Sequence, residues 1–240
     1  MISSKKRGQT AIEYVMIVGG AILFVVLVVI IIRQLTSKET LRITNDTIKL
    51  QDCLLRPGVL FFDNFDEAIA GKWTSIRGSW AYQNGKLVQV QVGGQTAIYL
   101  INGKLFDNFT MEFRTKLNFD GTNGNYPGIV FRSNRLASNF YLVKIGRFDV
   151  SNVFFLIRKE YITSKGSGSY TFESVEPEVE VTIKIRVYGQ IMQIYLNGKK
   201  IGTSFPLTEY NSGLIGLIAA SSNTNAALPA EFDTVCVYKE

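Results

Sequence analysis

Hydrophobic and polar positions fall into two regimes along the chain. From Tyr14 to Ile32 the sequence reads YVMIVGGAILFVVLVVIII, 19 residues without a charge. As a helix rising 1.5 Å per residue, that run is about 28 Å long, close to the thickness of a bilayer core. Beyond it, Leu35, Leu41, Ile48 and Leu50 alternate irregularly with polar residues, so an amphipathic helix is expected to continue to near residue 48. Pro57-Gly58 breaks it and opens the second regime.

From Val59 onward the period is that of strands. Phe109 to Leu117 alternates apolar residues and Thr with Thr, Glu, Arg and Lys, and Val179 to Val187 does the same, so each predicts a strand with one buried and one wet face. Ile191 to Leu196, then Asn197-Gly198, then Lys199 to Ile201 predicts a hairpin on a type I′ turn. Further strands are expected at Lys86–Val92, Thr96–Ile101, Gly128–Arg132, Phe140–Ile145, Val153–Lys159, Leu214–Ala219 and Phe232–Tyr238. So many short strands separated by turn signals imply a sandwich or barrel.

Charge changes this picture little. The formal net charge is +6, but three of the cations are Lys5, Lys6 and Arg7, ahead of the apolar run, and the rest are interleaved with acids. Without a basic stripe, nucleic acid is not an expected partner. The chain has no histidine and two cysteines, Cys53 and Cys236, with no C-x-x-C metal spacing. Cations before the helix hold that end in the cytoplasm and send the remainder outside. Two cysteines near opposite ends of an exported domain suggest one disulfide; a pair of buried thiols is the alternative.

An ordinary cleaved signal needs a short apolar core and a small-residue site, and here the run is long and Arg33-Gln34-Leu35 follows it. A plain membrane anchor and a prepilin-type signal remain. The stretch KKRGQTAIEYVMIVGG, with Gly8 before Gln9 and Glu13 five places on, resembles the class III signal peptide of archaeal type IV pilins and archaellins. The resemblance implies that a prepilin peptidase cuts between Gly8 and Gln9, before the apolar helix. Cutting there removes Lys5, Lys6 and Arg7, leaving 23 basic against 20 acidic residues. The helix is then free to leave lipid for a bundle of identical or related helices, both surroundings being apolar. An acid inside an apolar segment is costly and needs a reason. The resemblance gives Glu13 one, registering a subunit against a neighbour's new N-terminal amine. Gly19-Gly20 reads equally as a close-packing point or as a weak spot in the helix.

The head has a resemblance of its own. Phe62-Asp63-Asn64-Phe65, Gly71-Lys72-Trp73, Gly78-Ser79-Trp80 and Asn84-Gly85-Lys86-Leu87 open it. GIVFR at Gly128–Arg132 and Phe140-Tyr141-Leu142 follow, and YLNGKKIG, GLIGLIA and EFDTVCVY close it. This order resembles concanavalin A-like jelly rolls of the laminin G and glucanase type. In them the first and last strands are neighbours, which implies that Cys53 meets Cys236. An aspartate of the last strand helps hold a structural calcium there, a role implied for Asp233 with Asp63 nearby. Arg132, Tyr141, Lys144 and Arg158 fall on consecutive expected strands and are candidates to line a concave, glycan-binding face, against packing in the core. Trp73 and Trp80 are expected in the core. Asn45-Asp46-Thr47 and Asn108-Phe109-Thr110 are N-glycosylation sequons.

Related glucanases place their two acids close together on one strand. No E-x-D-x-x-E-like cluster occurs here; Glu176, Glu178 and Glu180 flank Pro177 and read as a solvated strand entry, and no histidine is present for a triad. The chain is therefore expected not to be an enzyme. The expected organisation is a leader at 1–8, a pilin helix and stalk at 9–52, and an antiparallel jelly-roll β-sandwich head at 53–240. The fold class is mainly β with one long N-terminal helix. The expected role is that of a cell-surface pilus-like subunit, inserted in the membrane before assembly, whose head adheres to surfaces or glycans. A membrane-anchored carbohydrate-binding protein and a surface glycosidase are the alternatives.

Overall fold

The structure, a computed structural model, describes residues 13–30, 52–90, 96–117, 125–147, 152–160, 165–174, 180–221 and 229–239. The chain divides into two units, one ending at Gln51 and the other beginning at Asp52. In the first, helix α1 spans Glu13–Ile30 and is long and apolar enough to cross a membrane. All of its residues are exposed, Met16 by 72% and Phe24 by 67%. A helix satisfies its own backbone hydrogen bonds, but one that is apolar on every side still needs lipid or other apolar helices around it. Gly8, Gln9, Asn45 and the expected continuation to residue 48 lie outside the described residues.

The second unit is an antiparallel sandwich. Its strands are β1 (Val59–Asp63), β2 (Trp73–Arg77), β3 (Trp80–Gln83), β4 (Lys86–Gln89), β5 (Ala97–Ile101), β6 (Phe109–Lys116), β7 (Asn125–Ser133) and β8 (Phe140–Arg147). They continue with β9 (Asn152–Glu160), β10 (Lys165–Ser174), β11 (Glu180–Tyr188), β12 (Ile191–Leu196), β13 (Lys199–Pro206), β14 (Leu214–Ser221) and β15 (Glu231–Tyr238). One sheet runs β13-β12-β11-β6-β15-β4-β3, with β1 also on β15; the other runs β10-β9-β8-β7-β14-β5-β2.

Alternation builds the first sheet. Met111 and Phe113 of β6 stand opposite Ile185 and Ile183 of β11, all four buried, while Glu112 and Lys184 pair on the other face. Asn197 and Gly198 take φ of 48° and 82°, as the expected I′ turn between β12 and β13 demands. The second sheet is apolar on both faces. Ile129, Phe131, Tyr141 and Val143 face the first sheet, whereas Val130, Leu142, Ile98 and Ile218 join Phe140, Leu100 and Leu214 in a separate buried layer. This explains why β7, β8 and β14 read as nearly continuous apolar runs. β10, whose KGSGSYTFES sequence has little alternation, was not expected; its register with β9 from Ser174↔Asn152 to Gly168↔Arg158 places it.

Tyr99 is stacked between Trp73 at 5.2 Å and Trp80 at 5.5 Å; Trp73 lies in the core as expected, whereas Trp80 is only half-buried and packs against it. Burial of such side chains supplies about 1.5–3 kcal/mol each. Cys53 and Cys236 form a disulfide, tying the segment before β1 to the middle of β15. Arg56 adds a fork onto the same face: Nη1 and Nη2 donate to Glu112 at 2.7 and 2.9 Å, and the guanidinium lies 4.6 Å from the Tyr238 ring centre. Burial opposes the Arg56 charge, but the Glu112 carboxylate outweighs it, and its pKa rises above the ordinary value. Tyr238 Oη also donates to Glu112, at 2.8 Å.

Two outcomes are expected from thermal unfolding of the full chain in detergent, followed by circular dichroism. Reducing the disulfide, or the double change Cys53→Ser, Cys236→Ser, should lower stability by about 2–5 kcal/mol. Gly128→Ala should cost about 3 kcal/mol, lowering Tm by roughly 6–12 °C. An added Cβ there would stand 2.0 Å from the Val143 carbonyl oxygen, which is backbone and has nowhere to move.

Candidate functional site

A groove of about 340 Å³ opens at the β2 side of the second sheet. Thr74 and Ile76 of β2 form one wall, Leu100 of β5 and Leu214 of β14 the floor, and Asn102, Leu105 and Arg135 the rim. Leu105 is 69% exposed, and the adjoining Leu136 is 74% exposed. Asn102 is held in place: its backbone N–H donates to Lys72 O at 3.0 Å and its Nδ2 to Gly71 O at 3.1 Å. A largely apolar cleft with a few fixed polar groups is the usual form of a small-ligand site. Neither Thr74, Asn102 nor Arg135 was legible as a site residue. They come from three distant segments, and only the strand order β7-β14-β5-β2 brings them together.

The four expected ligand residues do not share a face. Tyr141 is 2% exposed in the core between the sheets, stacked on Phe131 at 5.5 Å, and its hydroxyl accepts the Glu209 N–H at 2.8 Å. Arg132 is 3% exposed, and its Nη2 donates to Gly189 O. Burial holds its pKa below the usual arginine value. Alternation along β7 and β8 is the reason: a residue on the next strand shares a face only when it stands directly opposite or an even number of places from that position. Lys144 remains half-exposed on the outward side, opposite Gly128. Arg158, whose side chain lies outside the described residues, is opposite Leu142 in the β8–β9 register, and Leu142 belongs to the outward layer. That layer is itself a buried cluster, not the open concave face that was expected.

Asp63 and Asp233 do not fit a calcium ion. Asp63 is buried; its Oδ2 accepts Trp73 Nε1 at 2.6 Å and its Oδ1 the Phe65 N–H at 3.1 Å. Lys72 Nζ, 3.3 Å from Oδ1, already balances its charge. Asp233 accepts the Thr234 hydroxyl at 3.4 Å. Among the described residues no group of three or more metal-ligating side chains converges. Asn108 is half-buried, and its Oδ1 accepts the Gly189 N–H at 2.7 Å, leaving Nδ2 as its remaining polar group. Glu13 is exposed at the start of α1.

The sequence matches no protein-family model and no curated protein. Three solved structures match the head over nearly their whole length. The head has the jelly-roll fold of glucanase catalytic domains. The laminarinase catalytic domain of Thermotoga maritima matches at 13% identity and a TM-score of 0.56, over 76% of this chain and 98% of that one. The β-glucanase of Bacillus licheniformis matches at 12% and 0.55, over 77% and 100%. LamA of Zobellia galactanivorans, solved as a variant with laminaritriose and laminaritetraose, matches at 11% and 0.54, over 76% and 99%. The likeness is one of fold. It corrects the expectation that the chain is not an enzyme, because the structures it matches are those of glucan-hydrolysing domains.

Tyr141→Phe tests the placement of that side chain. It should lower stability by about 1 kcal/mol, through the lost partner of the Glu209 N–H, and leave binding of any glycan unchanged. Denaturant unfolding and a laminarin pull-down read the two effects separately.

Proposed function

We propose that the chain is a cell-surface subunit of a type IV pilus-like filament whose head engages glycans. The observation that carries the first half is α1, apolar on every side and exposed along its whole length. In lipid it is an anchor; packed with copies of itself it is a filament core. Cutting between Gly8 and Gln9 removes the cations that hold it to the cytoplasmic face. Glu13 then meets the new amine of a neighbouring subunit, a pair sensitive to loss of either partner.

The glycan half is supported by the glucanase fold and by the groove at Thr74, Asn102 and Arg135. A pyranose has apolar faces and a polar rim, and the groove offers Ile76, Leu100 and Leu105 with those three polar side chains. Lys144 extends the same side of the second sheet. Asn45 and Asn108 are the candidate acceptors for glycans carried by the protein itself.

A second reading is a surface glycosidase, favoured by the matches to catalytic domains. Such chemistry needs an acid and a second carboxylate on the scissile bond.

Three measurements test these readings. Protein recovered from its host should begin at Gln9 and be present in sheared filaments; a chain still beginning at Met1 and singly dispersed in the membrane overturns the filament. Full-length protein should bind laminarin, weakened about tenfold by Arg135→Ala, the scale of one charge-assisted hydrogen bond. No binding to laminarin or other glycans would overturn the head's assignment. Release of reducing sugar from laminarin selects the glycosidase.

A further inference from the structure

A second cavity, of about 140 Å³, lies at the end of the first sheet where β6 begins and β11 finishes. It has room for several water-sized groups. Its polar lining comes from Asn108, Thr110, Arg186 and Lys239, with Tyr188 at the edge, 68% exposed. Thr110 is buried, and its hydroxyl has no hydrogen-bond partner. The Asn108 Oδ1 is already taken by the Gly189 N–H, so what Asn108 still offers is its Nδ2 donor. Arg186 stands directly opposite Thr110 in the register of β6 and β11. The lining is therefore rich in donors and carries positive charge.

The Gly189 turn links this cavity to Arg132. The Gly189 carbonyl accepts from Arg132 Nη2, while Arg132 Nε and Nη1 are buried without partners. Among the described residues, the buried side-chain polar atoms lacking partners are thus Thr110 Oγ1 and these two Arg132 nitrogens. Buried donors in native proteins are almost always matched, and an unmatched set asks what matches it. Among the described residues Asp107 is a nearby carboxylate; it is exposed, and its pKa is lowered first by the Asn108 backbone N–H and further by Lys239 and Arg132. Asp107 is not among the residues lining the cavity, and two cations, Lys239 and Arg132, act on it.

We propose that this cavity is a site for a small oxyanion, the carboxylate, phosphate or sulfate group of a ligand, with Thr110, Arg186 and Lys239 as its donors. Charge-assisted hydrogen bonds from arginine and lysine to such groups are among the strongest that proteins make. The site is separate from the groove at Thr74 and Arg135 and stands whether or not that groove binds a glycan.

Isothermal titration of the full chain in detergent, at constant ionic strength, tests it with sodium phosphate, sodium glucuronate and glucose. One saturable equivalent of phosphate or glucuronate is expected, and none of glucose. Phosphate alone assigns the site to phosphorylated ligands and glucuronate alone to acidic sugars. Arg186→Gln and Lys239→Gln should each weaken binding about tenfold. Thr110→Val should weaken it too, while Tm holds or rises, since the hydroxyl has no partner to lose. No saturable binding of either anion up to about 10 mM, far above ordinary ligand affinities, overturns the site. So does binding that all three variants leave unchanged.

Discussion

The head is organised on β15. That strand pairs with β1, β4 and β6, carries Phe232 into the core between the sheets, and receives the disulfide from Cys53 on its outer face. A pull entering the head at Asp52 meets Cys53 within one residue and passes through the bond into an interior strand. Arg56, forked onto Glu112 of the neighbouring strand, spreads the same load to β6. A bond to an edge strand would let the sheet peel one hydrogen bond at a time. A bond to an interior strand requires several ladders to fail together. That placement resists a load applied at the start of the head.

The two sheets divide the remaining work. The first has a charged outer face where Glu112, Lys184 and Arg56 meet, and Lys86 lies between Glu180 at 3.6 Å and Glu231 at 3.4 Å. Such exposed pairs add little stability each, but they keep that face wet and specify register. The second sheet buries its outward middle as a second apolar layer, so the open space available to a ligand is pushed to its β2 edge. In the fold it shares with glucanase domains, this chain therefore offers a marginal groove beside a filled sheet. The donor-rich cavity beside Asn108 and Thr110 lies at the end of the other sheet, and its unmatched Thr110 hydroxyl is an expense that packing alone does not explain.

The sequence by itself determined the classes of structure. An uncharged run of bilayer length dictated α1, and period-two alternation dictated β6 and β11, because each pattern has a single way of hiding its apolar atoms. Asn197-Gly198 wrote its own turn, since those residues tolerate positive φ. The Cys53–Cys236 pairing, read from where the two cysteines fall in the jelly-roll order, was legible before any coordinates. Tertiary structure alone decided which side of each strand faces the partner sheet. That choice buried Tyr141 and Arg132, left Lys144 outward, and gave Asp63 to Lys72 and Trp73. It also assembled the groove from Thr74, Asn102 and Arg135. Local sequence records the period of a strand but not its phase against neighbours distant in the chain, and a site built across strands depends on that phase.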